Sequence, residues 1–475
     1  MSDTSQAIQS HTAARNMLES LPSVNFVLAQ DSNDYTDAKS RPWSQTCWAP
    51  AAGFIFPENA QQVADVLAAA VKTGTRFALR CRGHNPNPGF SSIGEGGVVI
   101  DIHKLSSLSL DRDASVLHVG AGATWGDVYS FLEEQGLSAI GGRDTAVGVA
   151  GFLLGGGYPA LPNLHGTGAD GVQSFEIVLA DSTIVTADIE NHADLFRALK
   201  GGGSNFGIVT SIGLHVHPLI KVQYSIELYN EADYANIMQA TAKVQKTMEF
   251  NSKINLFTNV NSGFIVVGLL SADGPDARPD EFKPFTELQS LMNTVTPTTN
   301  GTILSLTRAM IHETTPQRRT VGTVTTGVSA DLYNLVYDAW KQVILPLPSD
   351  VRLYYTIQPV SASAVEAGER NGGNTMGIDK TSQCWWVFTA EWNEESHDGA
   401  VTAAIDDIVK RTQDLSREKG LLLDYLCMNF ASGAQDVIRS YGAENVAKLQ
   451  ATAAKYDPTG VFQNLQNDGF LLRRL

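Results

Sequence analysis

The chain has little of several features that define whole classes of protein. It has four cysteines in 475 residues and no CxxC pair among them, so neither a disulfide scaffold nor a structural zinc site is expected. Basic residues are also scarce: 34 Lys and Arg stand against 50 Asp and Glu, which gives a net charge of −16 and a pI near 5.0. This acidity argues against nucleic acid or an anionic membrane surface as a partner.

Long apolar runs are missing as well. No window reaches the ~18 uninterrupted apolar residues of a membrane span. Residues 1–25 lack the basic segment and following apolar stretch that mark a secretory leader. The sequence therefore predicts a cytoplasmic protein with no signal peptide and no membrane association.

Familiar catalytic and nucleotide-binding motifs are absent or imperfect. There is no H-E-x-x-H, no G-x-S-x-G and no Walker lysine after a glycine cluster. The runs at 120–126 and 201–207 place their last glycine one position late for G-x-G-x-x-G, and the G-x-G-x-x-A match at 155–160 follows no predicted strand. His215 and His217 lie two positions apart, which marks a strand edge more often than a metal site, so no metal is expected.

The chain does have the composition of a folded protein: 43% of its residues are hydrophobic and 18% are charged. Periodicity predicts, in the first half, a helix at 57–74, strands at 76–80, 98–101 and 117–119, a helix at 125–136, and a hairpin of 175–180 with 183–185. Further on, it predicts strands at 263–270, 353–357 and 384–391, helices at 232–249, 332–343 and 400–419, and a last helix at 445–456. This pattern predicts an α+β fold whose later part is an antiparallel sheet with helices on one face.

Glycine is abundant: 42 residues, clustered where the backbone must turn sharply or lie close to another group. The clusters belong to six stretches: Arg80-Cys-Arg-Gly-His84, Gly97-Val-Val-Ile-Asp101, Gly120-Ala-Gly-Ala-Thr-Trp-Gly-Asp127, Val147-Gly-Val-Ala-Gly151 with Gly155-Gly-Gly157, Ala198 to Thr210, and Tyr456-Asp-Pro458 with Phe462 to Gln466. With these stretches in this order, over about 45–217 and 424–471, the chain resembles the berberine-bridge-enzyme-like FAD-linked oxidoreductases. That group is part of the vanillyl-alcohol oxidase superfamily, and the resemblance is to its fungal or bacterial secondary-metabolism type.

The resemblance implies three parts of the chain. Residues 1–217 correspond to a PCMH-type FAD-binding module of two α/β subdomains, with its core at about 45–217. Residues 218–423 correspond to a substrate-binding domain. Residues 424–475 correspond to a C-terminal segment that returns to the FAD-binding module.

FAD is the cofactor that the resemblance implies. The family places the following residues around it: Arg80, Cys81, Arg82, Gly83, His84, Asn85, Gly89, Asp144, Thr145, Val147, Gly148, Gly151, Gly155, Gly207, Ile208, Val209, Asn429, Asn464 and Gln466. His84 matches the position whose imidazole is bonded covalently to the flavin 8α-methyl group. Many relatives carry a second, cysteinyl link, but Asp144 stands at that place here, so a single covalent link is expected. Arg82 replaces the second glycine of the family's R-x-G-G-H.

The positions of the catalytic residues depart from the family's pattern, because the usual base is missing. The segment Gly372–Gly377 lacks the expected glutamate, and Cys427 and Phe430 replace the two tyrosines of Tyr-x-Asn-Tyr. Asn429 survives and is expected to face the flavin. Tyr425 and Glu391 are the candidates carried forward for proton transfer, with Tyr354, Tyr355 and His165 as substitutes.

The resemblance implies an FAD-dependent oxidase of a small organic metabolite in secondary-metabolite biosynthesis. A predicted apolar wall of the substrate domain, formed by Trp385, Trp386, Phe388 and Met376, suggests that this metabolite is mostly hydrophobic. The resemblance further implies that hydride passes to flavin N5 and that O2 reoxidises the flavin and yields H2O2. Val147 matches the position that controls oxygen access, and its small side chain resembles that of oxidases. The alternatives are a flavin-containing cyclase, dehydratase or isomerase without net redox, a secreted-type carbohydrate oxidase, and a binding protein without flavin. A monomer or a homodimer is expected.

Overall fold

The strands form sheets of four, five, eight and two members in the part of the chain that the computed structural model describes, residues 12–21, 23–274, 276–310 and 315–475. The order in the first sheet is Asn25–Leu28, Gly53–Phe56, Gly97–Asp101 and Arg76–Arg80, with the last three strands parallel. The predicted strands at 76–80 and 98–101 are thus confirmed as neighbours. Among the described residues, no helix is both long and apolar enough to cross a bilayer.

The helix Ala60–Thr73 crosses over the first sheet and shows why this region could be predicted. The Asn59 side chain accepts the Gln62 amide at 2.9 Å and caps the helix start. Gly74, with φ of +66°, ends the helix in the left-handed conformation that glycine tolerates. Its five buried residues, between Val63 and Ala70, recur at the helical period and form one apolar face.

The second sheet is antiparallel throughout. Its order is Leu108–Asp111, Val116–Gly120, Ile208–His215, Val172–Val178 and Ile184–Asp188. The last two strands form the predicted hairpin, and the Asp181 carboxylate accepts the Thr183 amide in its turn at 3.0 Å. A two-stranded pairing of Leu137–Ser138 with His217–Pro218 lies beside this sheet.

The third sheet separates two apolar clusters of the interior. Its order is Leu291–Thr302, Lys221–Asn230, Phe264–Ala272, Ile254–Asn261, Arg352–Val360, Gln383–Trp392, Arg318–Gly327 and Leu422–Leu423, and all its pairings are antiparallel. The helices Tyr234–Thr247, Ala330–Ile344 and Asp398–Glu418 cover one face. This arrangement confirms the predicted antiparallel sheet with helices on one face, although several of its strands were not predicted.

Shorter helices connect these layers, and the C-terminal segment returns to the first sheet. The helices are Ser32–Ser40, Trp125–Glu133, Val149–Leu154, Pro162–His165, Ala193–Leu199, Lys283–Thr286, Ile303–Ala309, Ala362–Arg370, Ala443–Tyr456 and Val461–Asn464. Phe77 donates its amide to the Leu465 carbonyl at 2.9 Å, and Asn467 donates to the Phe77 carbonyl at 2.7 Å. The tail therefore pairs with the edge of the first sheet.

A buried ion cluster closes the carboxyl ends of two parallel strands. The Arg80 guanidinium donates twice to the Asp101 carboxylate, at 2.9 and 2.7 Å, and both side chains are almost fully buried. Arg41 donates to the same carboxylate at 2.8 Å, and His103 Nδ1 lies 2.9 Å from its other oxygen. Burial would raise the pKa of Asp101, but these neighbours outweigh it and hold the pKa at about 2.

Asp101→Asn is expected to destabilise the fold by about 3–5 kcal/mol, because it leaves Arg80 buried without a counter-ion. The pKa of Asp101 is lower in the folded chain than in the unfolded chain. Its pairs therefore stabilise the fold fully above about pH 4, and the contribution is lost as the pH falls toward 2.

Thermal unfolding of the variant and the wild type across this range measures the effect. Asp414→Asn, in an exposed pair with Lys410, is the control and leaves the unfolding temperature unchanged. A gap between Asp101→Asn and wild type that stays constant down to acidic pH would contradict the assignment.

Candidate functional site

The loop that follows Arg80 joins the first sheet to the second. The Cys81 thiol donates to the Ala121 carbonyl at 3.0 Å, and Arg82 Nε donates to the Gly122 carbonyl at 2.6 Å. Gly83 has φ of +70°, and a Cβ there would lie 3.0 Å from the backbone of Pro42. The loop therefore runs between two fixed surfaces, and glycine is required at its turn.

His84 is held at the end of this loop by an aromatic stack. Its imidazole lies on the indole of Trp43, with ring centres 4.5 Å apart and planes 13° from parallel. The Arg319 guanidinium lies over the same indole at 4.4 Å, and its Nη1 donates to the Trp43 carbonyl at 2.5 Å. Stacking restricts the imidazole plane, so His84 is presented in one orientation.

The glycine-rich segment 144–157 packs against this loop and against residues 120–127. The Trp125 amide donates to the Val147 carbonyl at 3.0 Å, and the Gly126 amide donates to the Thr145 carbonyl at 3.0 Å. A Cβ on Gly148 would lie 2.6 Å from the Cys81 sulfur. Three of the stretches that carried the resemblance thus meet at one place.

Asn429 connects the C-terminal segment to the same glycine-rich region. Its Oδ1 accepts the Gly157 amide at 2.8 Å, and its Nδ2 donates to the Gly151 carbonyl at 3.2 Å. A Cβ on Gly155 would lie 2.4 Å from Asn429 Nδ2. The structure therefore brings Asn429, Gly151 and Gly155 together.

The remaining residues expected near FAD are more dispersed. The Asn85 side chain accepts the Asn87 amide, and Gly89, with φ of +86°, accepts a bond from Asn467. Gln466 donates to Ser204 at 2.7 Å, whereas Asn464 is exposed beside Gly460. Gly207, Ile208 and Val209 lie at the buried start of the strand Ile208–His215, and Asp144 caps its own loop by accepting the Ala146 amide. The guanidinium of Arg80 is paired with the Asp101 carboxylate.

Several features of this region fit a large polar cofactor. Gly151 is exposed, and a Cβ there would meet no atom within 4 Å, so the backbone borders open space. Ser91 Oγ and Gln466 Oε1 are buried and have no hydrogen-bond partner among the described residues. Burial raises the pKa of the Cys81 thiol to about 11, although the residue keeps partial exposure. Open glycine backbone and unpaired buried polar atoms are what a flavin dinucleotide requires.

The face of the third sheet opposite the helices lies on the other side of the glycine-rich region. Along the strand Gln383–Trp392, Trp385 belongs to the interior cluster on the FAD-module side, as does Met376, whereas Trp386 and Phe388 pack under the helices. The sequence predicted all four as one apolar wall, and this is wrong for Trp386 and Phe388. Successive side chains of a strand point to opposite faces, so the two residues cannot share a wall with Trp385.

The two acid–base candidates are both engaged with other groups. Glu391 has its Oε1 3.0 Å from Arg319 Nε and its Oε2 3.0 Å from Arg352 Nη2. The Tyr425 hydroxyl is buried 3.6 Å from the Met376 sulfur, and burial raises its pKa well above the usual value. This arrangement gives Glu391 a partner on each oxygen and leaves Tyr425 neutral.

The substitute bases are placed no better. Burial raises the pKa of Tyr354, and the Tyr355 hydroxyl lies 2.8 Å from that of Tyr234 on the helix-covered face. The His165 ring lies 4.9 Å from that of His217, and burial lowers its pKa to about 4.

Sequence reasoning missed Arg143, which directly precedes Asp144 and contacts the third sheet through Gln358. A lone cation inside a glycine-rich run was the only signal for it.

Comparison with known proteins agrees with this geometry. The FAD binding domain family matches residues 51–188. The chain is 35% identical to an FAD-dependent monooxygenase of Arthrobotrys oligospora, over 93% of this chain and 86% of the relative. It is 32% identical to one of Penicillium terrestre, over 96% and 88%, and 30% identical to the bifunctional solanapyrone synthase of Alternaria solani, over 96% and 88%.

Solved structures show the same fold at lower identity. The carbohydrate oxidase from Microdochium nivale superposes with a TM-score of 0.80 at 19% identity, over 97% of this chain and 99% of the other. Glucooligosaccharide oxidase from Acremonium strictum, with a 6-S-cysteinyl, 8α-N1-histidyl FAD, superposes at 0.78 and 18%, over 97% and 99%. Fold and relatives together define an FAD-linked oxidoreductase. The chain belongs to the family of FAD-linked oxidoreductases that these fungal FAD-dependent monooxygenases represent, and its fold is that of berberine-bridge-enzyme-like proteins.

Gly155→Ala is expected to lower stability by about 1–3 kcal/mol, because the new Cβ displaces the Asn429 amide and its two hydrogen bonds. Gly399→Ala is the matched control, since its Cβ enters open space in the exposed start of the helix Asp398–Glu418 and alanine favours a helix by about 0.5–1 kcal/mol. Thermal unfolding of the purified variants measures both changes. Equal stability of the two variants would show that Asn429 is not fixed as described.

Proposed function

We propose that the protein oxidises a small, mostly hydrophobic organic metabolite of secondary metabolism, with FAD as the redox cofactor and O2 as the electron acceptor. The observation that carries this proposal is the convergence of the His84 loop, the segment 144–157 and Asn429 on one region beside the third sheet. Two of the three named relatives are monooxygenases and the two named structural neighbours are oxidases, and both kinds of enzyme consume O2. An oxidase reduces O2 to H2O2, whereas a monooxygenase incorporates one oxygen atom into its product. We propose that this protein forms H2O2.

Residues 1–217 and 424–475 form the FAD-binding module in this proposal, and residues 218–423 form the substrate domain. When bound, FAD supplies the hydride acceptor, and the protein orients the substrate and excludes water. Backbone of the segment 144–157 and the loop 81–85 lies where it would hold the cofactor. Asn429 fixes the first of these segments from the opposite side through Gly151 and Gly157.

A single covalent link through His84 is part of the proposal. The Trp43 stack supports it, because a fixed imidazole is what a bond to one cofactor atom requires. Asp144 at the place of the second tether supports a single link, since a carboxylate cannot form the thioether. A cavity of about 180 Å³, lined in part by Tyr158 and Trp385, lies next to the site and suits a small substrate.

A cyclase or isomerase without net redox is the second candidate. The lack of a free base favours it, because Glu391 is paired with two arginines and Tyr425 is buried and neutral. Such an enzyme would guide a reactive substrate in a shaped pocket without consuming oxygen. The reaction of the reduced protein with O2 separates the two candidates.

His84→Ala is expected to abolish covalent attachment of flavin. Acid-precipitated wild-type protein should remain yellow, whereas the variant should release its flavin into the supernatant. His118→Ala is the matched control, because His118 is an exposed histidine on a strand of the same module. Release of flavin from the wild type would contradict the covalent link but not the use of FAD.

Val147→Leu is expected to slow reoxidation of the flavin by O2, because a larger side chain beside Gly148 narrows the approach to the cofactor. The holoenzyme is reduced with dithionite without oxygen and mixed with aerated buffer, and the flavin absorbance is followed. Val147→Ala is the control that should react at least as fast as the wild type. If the wild type reoxidises no faster than free reduced FAD, the proposal fails and the non-redox candidate is favoured.

A further inference from the structure

Arg143 is a cation deep in the protein at the junction of its three parts. It precedes the segment 144–157, its guanidinium lies over the Tyr158 ring at 4.6 Å, and it donates to the Gln358 side chain on the third sheet. Burial lowers its pKa, yet the residue retains partial exposure. Its guanidinium is therefore deeply placed and still within reach of a bound molecule.

This cation has no counter-ion in the part of the chain that the structure describes. The other arginines with largely buried side chains are paired, Arg80 with Asp101 at 2.7 Å and Arg319 with Glu391 at 3.0 Å. For Arg143, no carboxylate of a described residue lies within 4 Å. An isolated charge in such a place is costly, so native proteins pair it with an opposite charge.

The acidic groups beside Arg143 stay protonated and do not neutralise it. The Tyr158 hydroxyl donates to the Pro359 carbonyl at 2.7 Å, and burial raises its pKa. Burial also raises the pKa of the Cys427 thiol to about 12. Both groups are therefore neutral at physiological pH, and the missing negative charge has to come from a bound molecule.

Gln358 adds a second donor at the same place. Its side-chain oxygen accepts from Arg143, and its Nε2 is buried with no hydrogen-bond partner among the described residues. A guanidinium carries five N–H donors, of which one meets Gln358. Unused donors on two adjacent side chains, without a free acceptor, form a site for an anionic oxygen.

The chemistry of the site narrows the class of anion. Neither Glu391 nor Tyr425 is free to remove a proton from a neutral substrate. An enol or phenol needs no such base, because its O–H bond breaks, the proton passes to water and the electron pair remains on oxygen. The oxyanion then pushes electron density onto its neighbouring carbons, which a carboxylate does not do, and this activates them for oxidation.

We propose that the site binds its substrate as an enolate or phenolate, with the charged oxygen beside Arg143 and the side-chain amide of Gln358. The inference rests on the proposed function and names its substrate class. Arg143 is then the residue that selects the ionised form of the substrate. It supplies fixed positive charge where the family's missing acid–base residues would otherwise act.

The test uses the FAD-loaded protein and two probes, 4-nitrophenol and its neutral methyl ether 4-nitroanisole, in equilibrium dialysis. The wild type should bind 4-nitrophenolate more tightly than 4-nitroanisole. Arg143→Gln should weaken 4-nitrophenolate binding by about 10- to 100-fold, as for loss of a charge-assisted hydrogen bond. Its affinity for 4-nitroanisole should hardly change, and Arg143→Lys should fall between Arg143→Gln and the wild type.

Gln358→Glu provides a second variant should Arg143→Gln fold poorly. The new carboxylate pairs with Arg143 inside the protein, so 4-nitrophenolate binding should again be lost while the fold is kept. Arg278→Gln is the control for losing a half-buried arginine, because Arg278 pairs with Glu227 elsewhere in the substrate domain. It should bind both probes as the wild type does.

The inference is overturned if the wild type shows no preference for 4-nitrophenolate, or binds neither probe. It is also overturned if Arg143→Gln and Gln358→Glu both bind 4-nitrophenolate as the wild type does. Flavin content and reoxidation by O2, measured on the same samples, report on the proposed function separately. Protein that holds flavin and reacts with O2 but fails the probe test contradicts only the substrate class.

Discussion

The buried carboxylate of Asp101 fixes the point from which the loop that carries His84 departs. Arg80 ends one parallel strand and Asp101 ends its neighbour, and their ion pair locks the two strand ends together. The loop 81–85 starts at that locked position, so its direction is set before any contact with the second sheet is made. Bonds from the loop to Ala121 and Gly122 then tie the two subdomains together. The position of His84 on Trp43 is the end of this chain of contacts.

The buried arginines around the site follow a single physical rule with one exception among the described residues. They are matched by carboxylates, and this explains why Glu391, which the sequence presents as a free acid on a sheet face, pairs with two arginines. Arg319 in turn lies over Trp43, so Glu391 supports the His84 stack through two intermediates. Arg143 is the exception, and its place between the segment 144–157 and the third sheet is what makes it the candidate for a functional cation.

Local signals were enough to predict much of the fold. The helix Ala60–Thr73 and the strands beside it follow from apolar periodicity and from the glycine that ends the helix. Strands such as Leu291–Thr302 were missed, because this edge strand is mostly exposed and polar and has no apolar pattern. The partners of Glu391 and the neighbours of Arg143 were out of reach, since they lie on strands and loops far apart in sequence. Trp386 and Phe388 were misplaced because the sequence alone does not say which face of a strand is covered by helices.

The alternation of side chains along a strand also explains how one sheet can contribute both a packed core and a candidate site. Along Gln383–Trp392, the even-numbered side chains pack in the cluster under the helices, whereas Trp385, at an odd-numbered position, packs in the cluster on the opposite face. In the paired strand Arg352–Val360, the same alternation sends Tyr355 to the helices and Gln358 to Arg143. The site proposed beside Arg143 therefore lies on the face opposite the helices, and its residues are not those that hold the helix-packed layer together.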